Sequence, residues 1–185
     1  MRRWGVAALV GQLLLGAARV GGEQSADVEM RQKATFVGRL LKFVEWPEGG
    51  KAGGVRFVFC VAGNSFLSFA MSQELRGTLI EGRGIGVRSI KKEGDLAGCD
   101  AAYFTEAARA SNWKWLEKLK GTKALTVGEG GGFLSAGGMV EIACQNQMVQ
   151  FEVNLDAVRS AGLKIDARLL ELAKEVKRRD EKATR

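Results

Sequence analysis

Residues Val55 to Val61 read Val-Arg-Phe-Val-Phe-Cys-Val, apolar without a break once Arg56 is passed. A strand with one solvated face alternates apolar and polar residues, whereas a strand covered on both faces has no need to. The run therefore calls for a sheet with packed material above and below it. Further strand segments follow at Ile80–Ile90, best formed over Ile85, Val87 and Ile90, then at Ala101–Phe104 and Ala124–Val127. Between them lie helical patterns. Residues 27–45 place Met30, Ala34, Val37, Leu41 and Val44 on one stripe, widened by Leu40, with Ser25 or Asp27 available as a cap and Trp46-Pro47 as the stop. Phe66–Leu75 reads as a short helix stopped by Gly77, and Trp113–Leu119 as another. Met139–Cys144 and Met148–Val153 form a hairpin pattern turning at Gln145-Asn146-Gln147. A short helix at Ala157–Ser160 and a last amphipathic one at Ala167–Val176 close the chain. The expected architecture is a three-layer α/β sandwich, a mostly parallel central sheet flanked by helices, with the C-terminal hairpin as its antiparallel edge.

The N-terminus bears on where such a domain works. Arg2 and Arg3 precede an apolar run from Val6 to Leu15, which exits through Gly16-Ala17-Ala18. The run is shorter than the roughly 20 residues that span a bilayer and has the form of a secretory signal peptide. Residues 1–22 are expected to be removed, with cleavage between Ala18 and Gly22, leaving residues 23–176 as one domain and 177–185 as a basic tail. Removal takes away Arg2, Arg3 and Arg19 and no acid, so the net charge falls from +7 to +4. Of the remaining basic residues, six lie between Lys174 and Arg185 against three acids, a solvated tail and not the clustered face that nucleic-acid binding needs.

Several chemistries are excluded or left without a motif. The chain has no histidine, so neither a Ser-His-Asp or Cys-His machine nor a metal site needing imidazole can be assembled from it. Glu81, Glu129, Glu141 and Glu152 show no spacing that singles out a carboxylate pair. Gly82, Gly84 and Gly86 make a G-x-G-x-G, but a strand follows them where a dinucleotide site requires a helix. Trp113 and Trp115 stand two apart on a helical pattern and cannot share a face, so one is core and the other exposed. The glycine-rich stretch Gly128–Gly138 is either a flexible connection or a place where backbone N–H groups meet an anion. A bound partner or ligand is expected near Phe133, Gly137, Gly138 and Met139.

A set of ordered motifs resembles the YfiR family. They run from Phe43-Val44-Glu45-Trp46-Pro47 through Phe59-Cys60-Val61-Ala62-Gly63, Leu75-Arg76-Gly77, Gly82-Arg83, Val87-Arg88 and Cys99-Asp100 to Ala102-Tyr103-Phe104. Ala124-Leu125-Thr126-Val127-Gly128, Gly132-Phe133 and Gly137-Gly138-Met139-Val140 follow, then Phe151-Glu152-Val153-Asn154 and Ala161-Gly162-Leu163-Lys164-Ile165. The resemblance implies a periplasmic, non-catalytic regulator without a cofactor or metal. Such a protein binds the periplasmic domain of an inner-membrane diguanylate cyclase, restrains cyclic-di-GMP synthesis, and forms homodimers. A small-solute binding module built on the glycine-rich turn is the alternative.

Three cysteines in an oxidising compartment favour one disulfide and one leftover thiol. The family pattern pairs the positions of Cys60 and Cys99. A closed loop of about 40 residues would contribute about 4 kcal/mol by chain entropy. Some relatives carry a second pair around the Gly-Gly-Met turn, where this chain has Leu134 and Glu141, so Cys144 is expected to stay a small hydrophobe.

Overall fold

A computed structural model describes residues 17–47, 55–108 and 113–178, with side chains from Ser25 onward. The expected signal peptide lies largely outside the described residues, as does the tail beyond Arg178. The chain runs α1 (Ala17–Lys42), β1 (Val44–Glu45), β2 (Arg56–Ala62), α2 (Ser65–Glu74), β3 (Leu79–Ile80), β4 (Arg83–Ile90), β5 (Ala101–Phe104), α3 (Leu116–Leu119) and β6 (Leu125–Glu129). It continues through β7 (Val140–Gln145), β8 (Met148–Asn154), α4 (Leu155–Ser160), β9 (Lys164–Ile165), α5 (Ala167–Leu170) and β10 (Glu175–Lys177).

Eight strands form one curled sheet in the order β10-β8-β7-β6-β5-β2-β4-β3. From β4 across to β7 every neighbouring pair is parallel. β8 turns back antiparallel on β7 through Asn146 and Gln147, both at positive φ, and β3 is antiparallel to β4. The three-layer α/β expectation holds. β2 lies inside the sheet and alternates between two cores: Phe57, Phe59 and Val61 pack beneath α1, α2, α4 and α5, while Cys60 and Ala62 face Leu96, Trp115, Leu116 and Leu119 on the other side. This double burial is why the run has no polar alternation.

Three expectations are corrected. α1 begins before both Ser25 and Asp27 and ends at Lys42, because Val44 and Glu45 leave the helix to pair with Ile165 and Lys164. The last helix stops at Leu170; Leu172 is 74% exposed, and the chain instead lays β10 parallel to β8, with Lys174 N–H bonding Phe151 C=O at 2.9 Å. The hairpin is therefore not the sheet edge. The Trp113–Leu119 segment is a 3-10 turn followed by the short α3, which buries Trp115 and leaves Trp113 half-buried against Phe133, ring centroids 5.4 Å apart. Trp46 plugs the end of α1, its ring edge-on to Phe57 at 5.1 Å.

The strands are gathered at Asp100. Its carboxylate accepts from Val58 N–H on β2 at 2.7 Å and from Arg83 Nη1 on β4 at 3.1 Å. Its backbone N–H bonds Val58 C=O at 2.9 Å and its C=O accepts from Leu125 N–H at 3.0 Å, on β6. The ion pair is buried, with side-chain exposures of 8% and 1%. Beside it, the disulfide Cys60–Cys99 ties β2 to the approach of β5, Cα atoms 5.9 Å apart. Breaking a buried ion pair strands a charge in the core, so Asp100→Ala is expected to cost about 3–5 kcal/mol in urea unfolding. Asp100→Asn keeps an acceptor for Val58 N–H but also leaves the Arg83 guanidinium without its carboxylate, so it should destabilise too, though less than Asp100→Ala.

Candidate functional site

The residues singled out around the glycine-rich turn divide between two settings. Phe133 is fully buried, held between Gly128 and Gly138, where a Cβ on either glycine would enter its ring. Phe104 lies against it with ring centroids 5.9 Å apart. These residues form part of the second core. Gly137 and Met139 instead line an open cleft of about 460 Å³, with Leu116, Leu119, Lys120 and Asp156 among its walls. Thr126 underpins it by accepting Met139 N–H at 3.0 Å. Leu134 and Glu141 are also brought together: Leu134 N–H donates to the Glu141 carboxylate at 3.2 Å.

At the end of β6 stands a polar network that spacing in the sequence gave no reason to assemble. Glu129 accepts the Tyr103 hydroxyl at 2.5 Å and the Glu106 N–H at 3.4 Å. Lys33 of α1 reaches the same carboxylate at 3.1 Å and Glu29 at 2.6 Å. Burial acts first to push the Tyr103 phenol well above its usual 10, and the adjacent Glu129 charge adds to it. For Lys33 burial works the other way, but the two carboxylates outweigh it and leave the pKa raised from 10.5. Cys144 is the free thiol, half-buried, donating to Gln32 Oε1 at 3.5 Å, and burial raises its pKa. The network fastens α1 to the C-terminal ends of the parallel strands.

The same helix forms one wall of an apolar groove of about 440 Å³ against α2. Met30 and Ala34 of α1 face Phe66, Phe69 and Ala70, with Asp27, Arg31 and Glu74 at the rim. Phe66 and Phe69 are 76% and 66% exposed, one helical turn apart. Large aromatics left in water together mark a contact surface more often than a packing accident. The periodicity showed the helix but not which of its apolar residues would stay uncovered.

Arg88 rests on the disulfide, its Nη2 3.6 Å from Cys60 Sγ and 3.4 Å from Cys99 Sγ, and is anchored at 2.8 Å on Ala97 C=O. Among the described residues no cluster of three or more acidic, histidine or cysteine side chains is placed to hold a metal. No helix among them is long and apolar enough to cross a membrane.

A sheet gathered by a buried ion pair, a cleft and an apolar groove are equipment for binding. The chain belongs to the YfiR/HmsC-like family, whose model matches residues 30–174. Two solved structures share the fold. One is a conserved domain protein from Vibrio cholerae O1 biovar El Tor, 11% identical with a TM-score of 0.56, the match covering 80% of this chain and 60% of that one. The other is an ABC domain from Streptococcus pneumoniae in complex with L-Trp, 9% identical with a TM-score of 0.53, covering 80% and 62%. The chain thus spans less than two thirds of either.

The network sets an alkaline limit on stability. A phenol whose pKa is raised by folding contributes its full stability below the unfolded value of 10.0 and loses it as pH climbs towards the folded value. Lys33, also raised, acts in the same direction from 10.5. The urea midpoint should therefore fall above pH 10, and Tyr103→Phe, with no phenolic proton to lose, should show a shallower fall. At pH 8 the variant should be less stable by about 1.5–3 kcal/mol, the value of a hydrogen bond to a charged group.

Proposed function

We propose that this protein is a non-catalytic periplasmic regulator that binds the periplasmic domain of an inner-membrane diguanylate cyclase and restrains it, working as a homodimer. The family match over residues 30–174 carries this reading. The Cys60–Cys99 disulfide fits an oxidising compartment, and the Arg2-Arg3 start with its short apolar run fits export. The restraint is a population shift: a regulator that binds the inactive conformation of the cyclase more tightly moves the equilibrium by that affinity difference and no further. The docking surface in this reading is the α1–α2 groove, with Phe66 and Phe69 as anchors.

Deleting the protein should raise cellular cyclic-di-GMP, and restoring it should lower the level again. Phe66→Glu with Phe69→Glu should fail to restore it although the variant folds, since both side chains are exposed. An unchanged cyclic-di-GMP level on deletion would remove the reading.

The cleft beside Gly137 and Met139 favours a second reading, a module that captures a small solute. Its apolar walls with Lys120 and Asp156 suit a compact polar molecule with an apolar part. Thermal-shift screening against anions, nucleotides and amino acids tests it. A strong shift that Met139→Glu abolishes supports the solute module, and a flat screen removes it.

A further inference from the structure

The outer side of β4 is left open. β3 pairs with it only through Leu79–Gly84 and Ile80–Arg83, whereas β2 follows it on the inner side for seven residue pairs. From Gly86 to Ile90 no strand lies beyond β4 among the described residues. Ile85 N–H still bonds Thr78 C=O at 3.3 Å across this side. Val87 and Ser89 point their backbone groups the same way, since hydrogen-bonding direction alternates along a strand. Backbone donors and acceptors in such a row are a template for one more strand.

Protected edges carry charges over the strand, a proline or a bulge. Here the edge reads Gly84-Ile85-Gly86-Val87. Arg88 is turned away from it, fixed on Ala97 C=O and the disulfide sulfurs. Beside the edge runs a groove of about 450 Å³ floored by Gly84, Gly86 and Val87 and walled by Leu75, Arg56 and Arg76. No carboxylate among the described residues lines it. The Arg56 side chain makes no hydrogen bond or ion pair among the described residues, where the Arg76 guanidinium is held only by the neutral Gln73 side chain at 2.9 Å. A Cβ at Gly84 would meet nothing within 4 Å, and Leu79 next to it is 63% exposed. The place therefore offers hydrogen bonds in a line, some apolar area and two guanidinium groups without an anionic partner among the described residues.

We infer that the outer edge of β4 is an interaction surface for an extended acidic polypeptide segment of a partner protein, added as a strand beside Gly86–Ile90 with its carboxylates on Arg56 and Arg76. Charge chooses the occupant. The chain's own C-terminal segment, with six basic residues against three acids from Lys174 to Arg185, matches the sign of the groove and is repelled by it. A guanidinium takes a carboxylate in bidentate fashion, which fixes the added strand as well as attracting it. The inference is independent of the cyclase reading and needs no cyclase in its test.

The full mature chain is titrated by fluorescence anisotropy into a labelled, terminally blocked peptide of about ten residues alternating Glu and Thr, a length that spans one strand. Two controls replace each Glu by Lys or N-methylate every backbone nitrogen. Both controls should bind roughly tenfold or more weakly. Arg56→Glu with Arg76→Glu should lose the acidic peptide by the same factor while keeping the urea midpoint, because both side chains are exposed. Hydrogen exchange should slow at the Val87 and Ser89 amides when the acidic peptide is added. Equal binding of the methylated peptide would reduce the site to non-specific charge attraction and overturn the inference. So would unchanged amide exchange, peptide binding that survives charge reversal, or a dimer in sedimentation that the double variant disperses, which would make a second copy the occupant.

Discussion

Asp100 is where the strands of this sheet are told how to line up. β2 is apolar on both faces, so a slip by one residue would exchange Phe57, Phe59 and Val61 for Cys60 and Ala62 without exposing a polar group. The period-2 pattern that fixes register in half-solvated strands has little hold on such a strand. A directional polar contact must do it instead. The carboxylate takes one N–H from β2 and one guanidinium from β4, while the backbone of the same residue bonds β2 again and β6. Three neighbouring strands are indexed to one position on the chain. The cost of burying the charge is several kcal/mol. It is offset here by two short hydrogen bonds and by the Phe57 ring under the Arg83 guanidinium, 5.2 Å from its centroid. Among the described residues Arg83 Nε and Nη2 have no hydrogen-bond partner, so the pair is not a fully satisfied one. Its value lies in alignment more than in net stability. The disulfide one residue before Asp100 holds that alignment covalently.

Much of this architecture was legible in the residues, for a physical reason. The helix α1, the run at β2, the strand at Ala101–Phe104 and the hairpin around Asn146 each carry their own periodicity or turn chemistry, and local signals of that kind survive folding. The C-terminus shows where they do not. Leu169, Leu170, Leu172, Ala173 and Val176 fit a helical stripe, yet the uncovered outer side of β8 takes up Glu175–Lys177 as a strand. A pairing partner distant in sequence outweighs helical propensity, and the stripe holds no information about that partner.

The site was legible in the same uneven way. The cysteine pair came from the family pattern and not from spacing. Phe133, Gly137, Gly138 and Met139 form one stretch in sequence, but the turn sends Phe133 and Gly138 into the core and Gly137 and Met139 to the cleft. Glu129, Tyr103 and Lys33 come from three elements and meet only because α1 crosses the strand ends. Nor does apolar character tell an exposed Phe66 from a buried Leu67: both belong to the same helix, and only the position of α1 decides between them. Across the Gly-Gly-Met turn, Glu141 accepts the Leu134 N–H, so a non-covalent bond closes the loop here. This leaves Cys60 and Cys99 as the only disulfide among the described residues.

α1 joins these features, because it contributes to the groove through Met30 and Ala34 and to the buried network through Lys33. Shifting the helix would separate the Lys33 ammonium from Glu129, while Glu29 travels with it on the same helix, and would leave Glu129 with only its Tyr103 and Glu106 donors. That penalty falls on any motion of α1 that would open or close the groove, so in the proposed reading the groove would meet its partner already shaped. A preformed surface loses little conformational freedom on binding, which leaves more of the contact energy to discriminate between states of the partner. Restraint of a signalling enzyme depends on that discrimination alone, since equal affinity for active and inactive forms would shift nothing. In the proposed reading, the hold on α1 and the selectivity of the groove would thus both rest on one ion-pair network.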